Sequence, residues 1–185
     1  FRKDHEREAV MQVVERISRE LEEAGIRIKV DDRDNLNPGF KFNDCELRGV
    51  PTRIEICPMD MKNNSVALAR RDFPGREGKQ FVPQDGLAQS VADLLEEIQQ
   101  NLLDKATKFR DENTHDVENL EDFKQAVKSG FSRGWWAGDN DEEIKLKEET
   151  KATLLCFPFD QPEGSGTCFY TGKPATQVAY FGRTY

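Results

Sequence analysis

Apolar residues near the start of the chain fall at Val10, Val13, Val14, Ile17 and Leu21. That spacing lays one stripe along a helix, predicted over residues 4–24. Asp4 is placed to cap its start and Gly25 its end. The period then drops to two. Ile26, Ile28 and Val30 alternate with polar residues, which predicts a strand over "IRIKVDD". Asn37-Pro38-Gly39 signals a turn or a helix start. "FKFNDCEL" reads as a short helix packing Phe40 or Phe42, ended by Gly49. "TRIEIC" alternates again, with Ile54 and Ile56 on one face and Arg53 and Glu55 on the other. "SVALARRD" and "KQFVPQ" predict two further strands. A long helical pattern follows from about residue 85 to 109, through Leu87, Val91, Leu94, Leu95, Ile98, Leu102 and Ala106. Strands and helices interleave, so the expected class is an α/β layer fold.

The pattern changes after about Arg110. "DENTHDVENLEDF" is polar and acidic and marks a domain boundary, giving domains 1–110 and 111–185. Asn119 can cap a short helix with Phe123, Ala126 and Val127 inward and Gly130 at its end. "GFSRGWWAG" and "ATLLCFPF" read as strands, and "DEEIKLKEET" between them as an exposed helix. A loop, "DQPEGSGT", leads to a last strand in "QVAYFGRTY", running to about Phe181. The C-terminal part is thus a small α+β domain.

Composition narrows this picture. The chain has 185 residues, room for one ordinary domain or two small ones, and 36% hydrophobic content is enough for a core. No apolar run approaches the ~20 residues of a membrane helix, and no signal peptide is evident. A cytoplasmic location follows by default. The first residue, Phe1, suggests a piece of a longer protein. Four cysteines, Cys45, Cys57, Cys156 and Cys168, form no C-x-x-C pair and read as reduced, mostly buried thiols. The net charge of −8 argues against indiscriminate coating of nucleic acid. The charge is uneven, however. Residues 48–79 carry seven basic against four acidic side chains, and residues 96–150 carry eight against fifteen. Such asymmetry hints at partners.

Residues 39–60, "GFKFNDCELRGVPTRIEICPMD", concentrate Lys41, Asp44, Glu46, Arg48, Arg53, Glu55 and Asp60 around one short apolar strand. On the residues alone, Glu46 and Arg53 fit a solvated surface pair worth ~0–1 kcal/mol. Together with "DDRDNLN" before it and "VALARRD" after it, the stretch resembles the anticodon-binding domain of the prolyl-tRNA synthetase family. "FRDENTHDVENLEDFKQAVKSGF", "KEETKATLLCFPF" and the ending "YFGRTY" resemble the extra C-terminal domain of the archaeal and eukaryotic-like form of that family. The two blocks stand in the right order and cover essentially the whole chain.

The resemblance implies a mixed five-stranded sheet flanked by helices, then a compact C-terminal domain. It implies contacts to unstacked anticodon nucleotides. Proline anticodons share two guanines, whose O6 and N7 suit an arginine or lysine. Their N1–H and N2–H suit a carboxylate, so an acid and a base held together can read the guanine edge. By the family's pattern Glu46 and Arg53 fall at anticodon-reading positions, and Arg70 or Arg71 at or near another. Alternation sends Arg70 and Arg71 to opposite faces, so one can read RNA while the other pairs with an acid such as Asp72. Met59 departs from the basic residue usual in the family, and Cys57 from a glycine. The implied partners are a proline tRNA, an upstream catalytic domain and a second subunit of a homodimer, with ATP and magnesium used by the parent enzyme.

Many members of the family hold zinc through four cysteines in W-C-G-D-x-x-C-E and C-x-x-C-G-K-P. Here the blocks read "WAGDNDEE" and "CFYTGKP". Ala137, Glu142 and Thr171 stand at three of the cysteine positions, and only Cys168 remains. A structural zinc site needs four ligands, so zinc is expected to be absent. Cys156 is expected in the core, and packing of Trp135, Trp136, Phe157, Phe159 and Phe169 is expected to hold the domain instead.

No class II catalytic motif, G-x-x-x-x-G-K-[ST] loop or G-x-S-x-G elbow occurs. His5 is expected to be exposed in the first helical turn, His115 lies in the polar boundary segment, and neither has a nucleophile partner. The chain by itself is therefore expected to be inactive. Two other readings remain: a free-standing interaction module of this fold docking through its acidic C-terminal face, and a thiol enzyme using Cys57 or Cys168.

Overall fold

The period-3.6 stripe at the start forms α1, Asp4–Glu23, with Val10, Ile17 and Leu21 buried. Gly25 closes it at φ 81°, a left-handed conformation that glycine adopts without steric cost, and Ile26 N donates to Leu21 O at 3.0 Å. The computed structural model describes residues 4–73, 75 and 77–183, with side chains from Glu6 onward. The cap expected of Asp4, the exposure expected of His5 and any role of Tyr185 lie outside the described residues. The chain divides into two compact units, Phe1–Asp104 and Lys105–Tyr185.

In the first unit α2 (Pro38–Leu47) starts at Asn37, whose side chain accepts from Phe40 N at 2.8 Å, with Pro38 at the first helical position. No residue of α2 is buried, so neither Phe40 nor Phe42 enters the core. Then come β1 (Thr52–Glu55), a short α3 (Pro58–Lys62), β2 (Ser65–Arg70), β3 (Lys79–Pro83) and α4 (Leu87–Glu112), which runs on into the second unit. The α/β class is as expected. The sheet differs from the one implied: among the described residues it has three strands, ordered β1-β2-β3 and antiparallel throughout, where five mixed strands were expected. The predicted strand at 26–32 has no ladder. Ile26 and Ile28 pack on the core as alternation requires. Side chains anchor the rest of the segment: Lys41 Nζ donates to Asp31 O at 3.1 Å, and Arg33 pairs with Asp31 and Asp44.

Alternation along β2 sorts the unit into two faces. Val66 and Leu68 point into the core with Ile17, Leu21, Leu87, Val91, Leu94 and Ile98 of α1 and α4. Ala67 and Ala69 point to the opposite face, also buried.

The second unit holds β4 (Thr114–Asp116), α5 (Leu120–Ala126), β5 (Phe131–Trp136), α6 (Asn140–Thr150), β6 (Ala152–Cys156), a two-stranded β7 (Gly166–Thr167) and β8 (Pro174–Ala175), and β9 (Gln177–Arg183). Its main sheet runs β4-β5-β9-β6, with β4 and β5 parallel and the other pairs antiparallel. Asn119 caps α5 as predicted, accepting from Glu121 N and Asp122 N. The core is aromatic. Phe123 stacks on Phe169 with ring centroids 4.7 Å apart, and Phe181 meets both edge-on at 5.3 Å. Trp136 packs beside them.

Two expectations for this core are corrected. Phe157 and Phe159 are exposed, and so is Cys156. The cause is the edge position of β6: its register shifts between Leu154 and Cys156, and the ladder ends there, so no layer covers Phe157 and Phe159. The thiols are not mostly buried either. Cys168 is buried, Cys45 is half-buried, and Cys57 and Cys156 are exposed.

Candidate nucleic-acid interface

The register of the first sheet assembles a charged face above the two alanines. Arg53 lies opposite Ala69, which lies opposite Lys79; Glu55 lies opposite Ala67, which lies opposite Phe81. Paired residues share a face. Long side chains from the two edge strands therefore reach toward each other over a central strand that contributes only methyl groups. Lys79 Nζ, on β3, meets Glu55 Oε2, on β1, at 2.6 Å across β2.

Arg53 is the centre of this face. Its Nε donates to Glu55 Oε1 at 2.9 Å, its guanidinium lies 4.1 Å from the ring centre of Phe42, and Nη1 reaches Glu46 Oε1 at 3.3 Å. The side chain is 20% exposed, against 55% for Glu46. Arg53 is thus braced from behind by a carboxylate and a ring, while Glu46 hangs at the solvent edge of the pair. Guanidinium and carboxylate are both offered to an incoming molecule, and the braced arginine loses little freedom on binding.

The two consecutive arginines separate as alternation requires. Arg70 turns to the α4 side. It makes a bidentate pair with Asp72 at 2.7 Å for both bonds, reaches Glu97 at 2.8 Å, and lies 4.7 Å over Phe73. Its side chain is 12% exposed and that of Asp72 0%. The Arg70 guanidinium holds the Asp72 carboxyl down to about 2, and Asn101 donates a further hydrogen bond to it. Arg71 turns to the face of Arg53. It is exposed, and its Nε donates to the backbone carbonyl of Glu46 at 3.0 Å. That carbonyl lies in the last turn of α2, where a cation is favoured. A shallow notch is lined by Cys45, Glu46, Val50, Arg53, Ala69, Arg70 and Arg71.

All four sequence-predicted residues thus border one notch, where Arg53 and Arg71 reach Glu46, while the Arg70 guanidinium is engaged by Asp72 and Glu97. Phe42, as the ring beneath Arg53, and Lys79, as the partner of Glu55, were missed. Cross-strand register would have found Lys79; nothing in the sequence pattern marks Phe42 as a brace. A second network fixes α2 from its other side: Arg48 and Arg33 both pair with Asp44, and Arg33 holds Asp31 well below the usual carboxylate range. In α3, Asp60 accepts from Cys57 N at 2.8 Å and Met59 is exposed.

The positions corresponding to the zinc ligands do not form a donor set. Ala137 offers no donor. Glu142 binds Lys173 Nζ at 2.7 Å and accepts from Asp139 N at 2.9 Å, closing the capping box of α6. Thr171 Oγ1 accepts from Lys173 N at 3.3 Å. Only the buried Cys168 thiol remains, accepting from Thr171 N at 3.5 Å. Among the described residues no group of three or more His, Cys, Asp and Glu converges. Nor is any described helix long and apolar enough to cross a membrane.

Comparison with known proteins places both units. Residues 3–101 match the family model described as "Anticodon binding domain", and residues 120–185 match "Prolyl-tRNA synthetase, C-terminal". A proline--tRNA ligase of Roseiflexus sp. (strain RS-1) is 53% identical over 185 residues, which is 100% of this chain and 38% of that protein. One from Chloroflexus aurantiacus is 45% identical over 185 residues, again 38% of its length. The chloroplastic/mitochondrial proline--tRNA ligase of Arabidopsis thaliana is 44% identical over 189 residues, 35% of its length. The chain therefore spans little more than a third of these relatives.

Proposed function

Because the chain belongs to the anticodon-binding domain family and ends in a prolyl-tRNA synthetase C-terminal domain, we propose that its charged face reads the anticodon of a proline tRNA for an enzyme that ligates proline to that tRNA. The observation that carries this reading is the braced Arg53. A guanidinium fixed by Glu55 and Phe42 sits 3.3 Å from the exposed carboxylate of Glu46, with Arg71 on the same face. A guanine presents O6 and N7 as acceptors and N1–H and N2–H as donors. Arg53 and Arg71 suit the first pair and Glu46 the second. RNA loops can offer these edges because their bases are unstacked.

The relatives share the name proline--tRNA ligase, which supports a parent enzyme of that activity with a catalytic domain in the same chain. The parent enzyme carries an upstream catalytic domain that uses ATP and magnesium, works as a homodimer and is cytoplasmic. The C-terminal unit is metal-free, because one thiol and one engaged carboxylate leave a tetrahedral site short of ligands.

The test is binding at fixed salt to a proline anticodon stem-loop and to versions with either anticodon guanine replaced. Wild type should discriminate by ~1–3 kcal/mol per well-made base contact, and Arg53→Ala should lose that preference. Equal binding of all the loops by wild type would return Glu46 and Arg53 to a surface ion pair and favour a protein-docking module.

A further inference from the structure

Phe81 is 66% exposed on β3, an edge strand, with Lys79 Nζ 5.8 Å from its ring centre. A lone exposed aromatic is ordinary. The placement of this one is not. It shares a cross-strand row with Glu55 through Ala67, on the same face as Arg53, and the adjacent row ends in Lys79. Two strand spacings, ~9.5 Å, separate Glu55 from Phe81. Between them lies only a buried alanine, spanned by the Lys79–Glu55 ion pair. The sheet face that carries Arg53 therefore ends, beyond this alanine, in an exposed aromatic ring with an ammonium beside it.

We infer that Phe81 is a stacking platform for an RNA base neighbouring the guanines, with Lys79 beside it facing the backbone phosphate. This rests on the anticodon reading of the same face and extends its footprint. A ring accepts any base by its π-face, so the platform adds affinity without adding sequence preference. Glu46, Arg53 and Arg71 would select, and Phe81 would hold.

The experiment uses the full 185-residue chain with the proline anticodon stem-loop and its guanine-replaced versions, titrated at fixed salt. The variants are Phe81→Ala, Phe81→Leu and Phe81→Trp. Thermal melts should match wild type, since the side chain is exposed. Phe81→Ala and Phe81→Leu should weaken binding of every loop alike by roughly 5- to 150-fold, the range for one base–aromatic stack. Discrimination between guanine and its replacements should be untouched, and Phe81→Trp should restore affinity. Leucine separates stacking from bulk, because it keeps apolar volume and lacks the π-face. If Phe81→Ala binds as wild type while wild type still selects guanine, the platform is wrong and the anticodon reading stands. If wild type ignores guanine but Phe81→Ala still weakens binding, the guanine reading falls and the platform stands. If neither sequence nor Phe81 matters, both fall.

Discussion

Replacing the two neighbouring arginines one at a time should produce opposite phenotypes. Arg70→Ala removes three charge-assisted hydrogen bonds, two to Asp72 and one to Glu97, and takes the bidentate guanidinium away from the fully covered Asp72 carboxylate, which keeps the hydrogen bond from Asn101. Breaking a buried pair by removing one member costs about 3–5 kcal/mol, because the other charge stays buried. Some of this is recovered if water reaches Asp72, so about 3 kcal/mol is the working figure. In a chain of this size each kcal/mol moves the melting temperature ~2–4 °C, giving a fall of roughly 6–12 °C. Arg71→Ala removes one hydrogen bond to an exposed carbonyl and should change stability by no more than ~1 kcal/mol. Its effect belongs in RNA binding. Differential scanning calorimetry gives the first readout and stem-loop titration below the lower melting point the second. Adding Asp72→Ala to Arg70→Ala should restore part of the loss, since the buried carboxylate that lost its bidentate partner goes too. Arg70→Ala melting within a degree or two of wild type, or losing guanine preference while Arg71→Ala keeps it, would refute the assignment of the two faces.

Asp72 also predicts a pH dependence. Its folded pKa of about 2 lies below the unfolded value of ~3.9, so its contribution is complete above about pH 4 and is lost as pH falls toward 2. Urea titrations from pH 5 to 2 should show wild type losing up to about 2 kcal/mol more than Asp72→Asn across that window. Phe123→Ala, deleting a fully buried ring from the aromatic cluster of the second unit, should cost ~3–5 kcal/mol in the same assay. Melting should be indifferent to a zinc chelator, and Lys173→Ala, which removes an exposed ion pair with Glu142, should cost less than ~1 kcal/mol. A fall in melting temperature on chelation would show that a metal holds the unit after all.

Much of this molecule was legible because its signals are local. The stripes of α1 and α4, the alternation in β1 and β2 and the Asn119 cap each follow from a few neighbouring residues. The division of Arg70 and Arg71 between faces is the same period-two rule. What failed depended on partners distant in sequence. Ile26, Ile28 and Val30 alternate like a strand, but no neighbouring strand offers a ladder, and Asp31 and Arg33 are tied to α2 instead. Phe157 and Phe159 look like core from composition, yet β6 is an edge and its bulge releases them. The braces on Arg53 come from α2 and from its own strand, so their meeting is visible only once α2 lies over β1 and β2.

The arrangement of the charged face on this sheet turns on a single register. Val66, Leu68 and Arg70 share one side of β2; Ala67, Ala69 and then Arg71 share the other. A slip of one residue would drive Ala67 and Ala69 into the core and turn Val66 and Leu68 outward. The hairpin to β3 opposes it. Arg70 N donates to Gly78 O at 2.8 Å, and a Cβ at Gly78 would come within 2.8 Å of Arg70 O and 2.7 Å of Phe73 O. The backbone at this corner is therefore packed too closely for any side chain, and it ties the residue after Ala69 to the residue before Lys79. The Arg70–Asp72 pair fixes the same corner from the α4 side. Stability on one face thus sets the positions of the side chains on the other. For that reason the Arg70–Asp72 pair, on the α4 side, supports the arrangement of the charged face: it fixes the corner that sets the register of Ala69, Arg71 and Lys79.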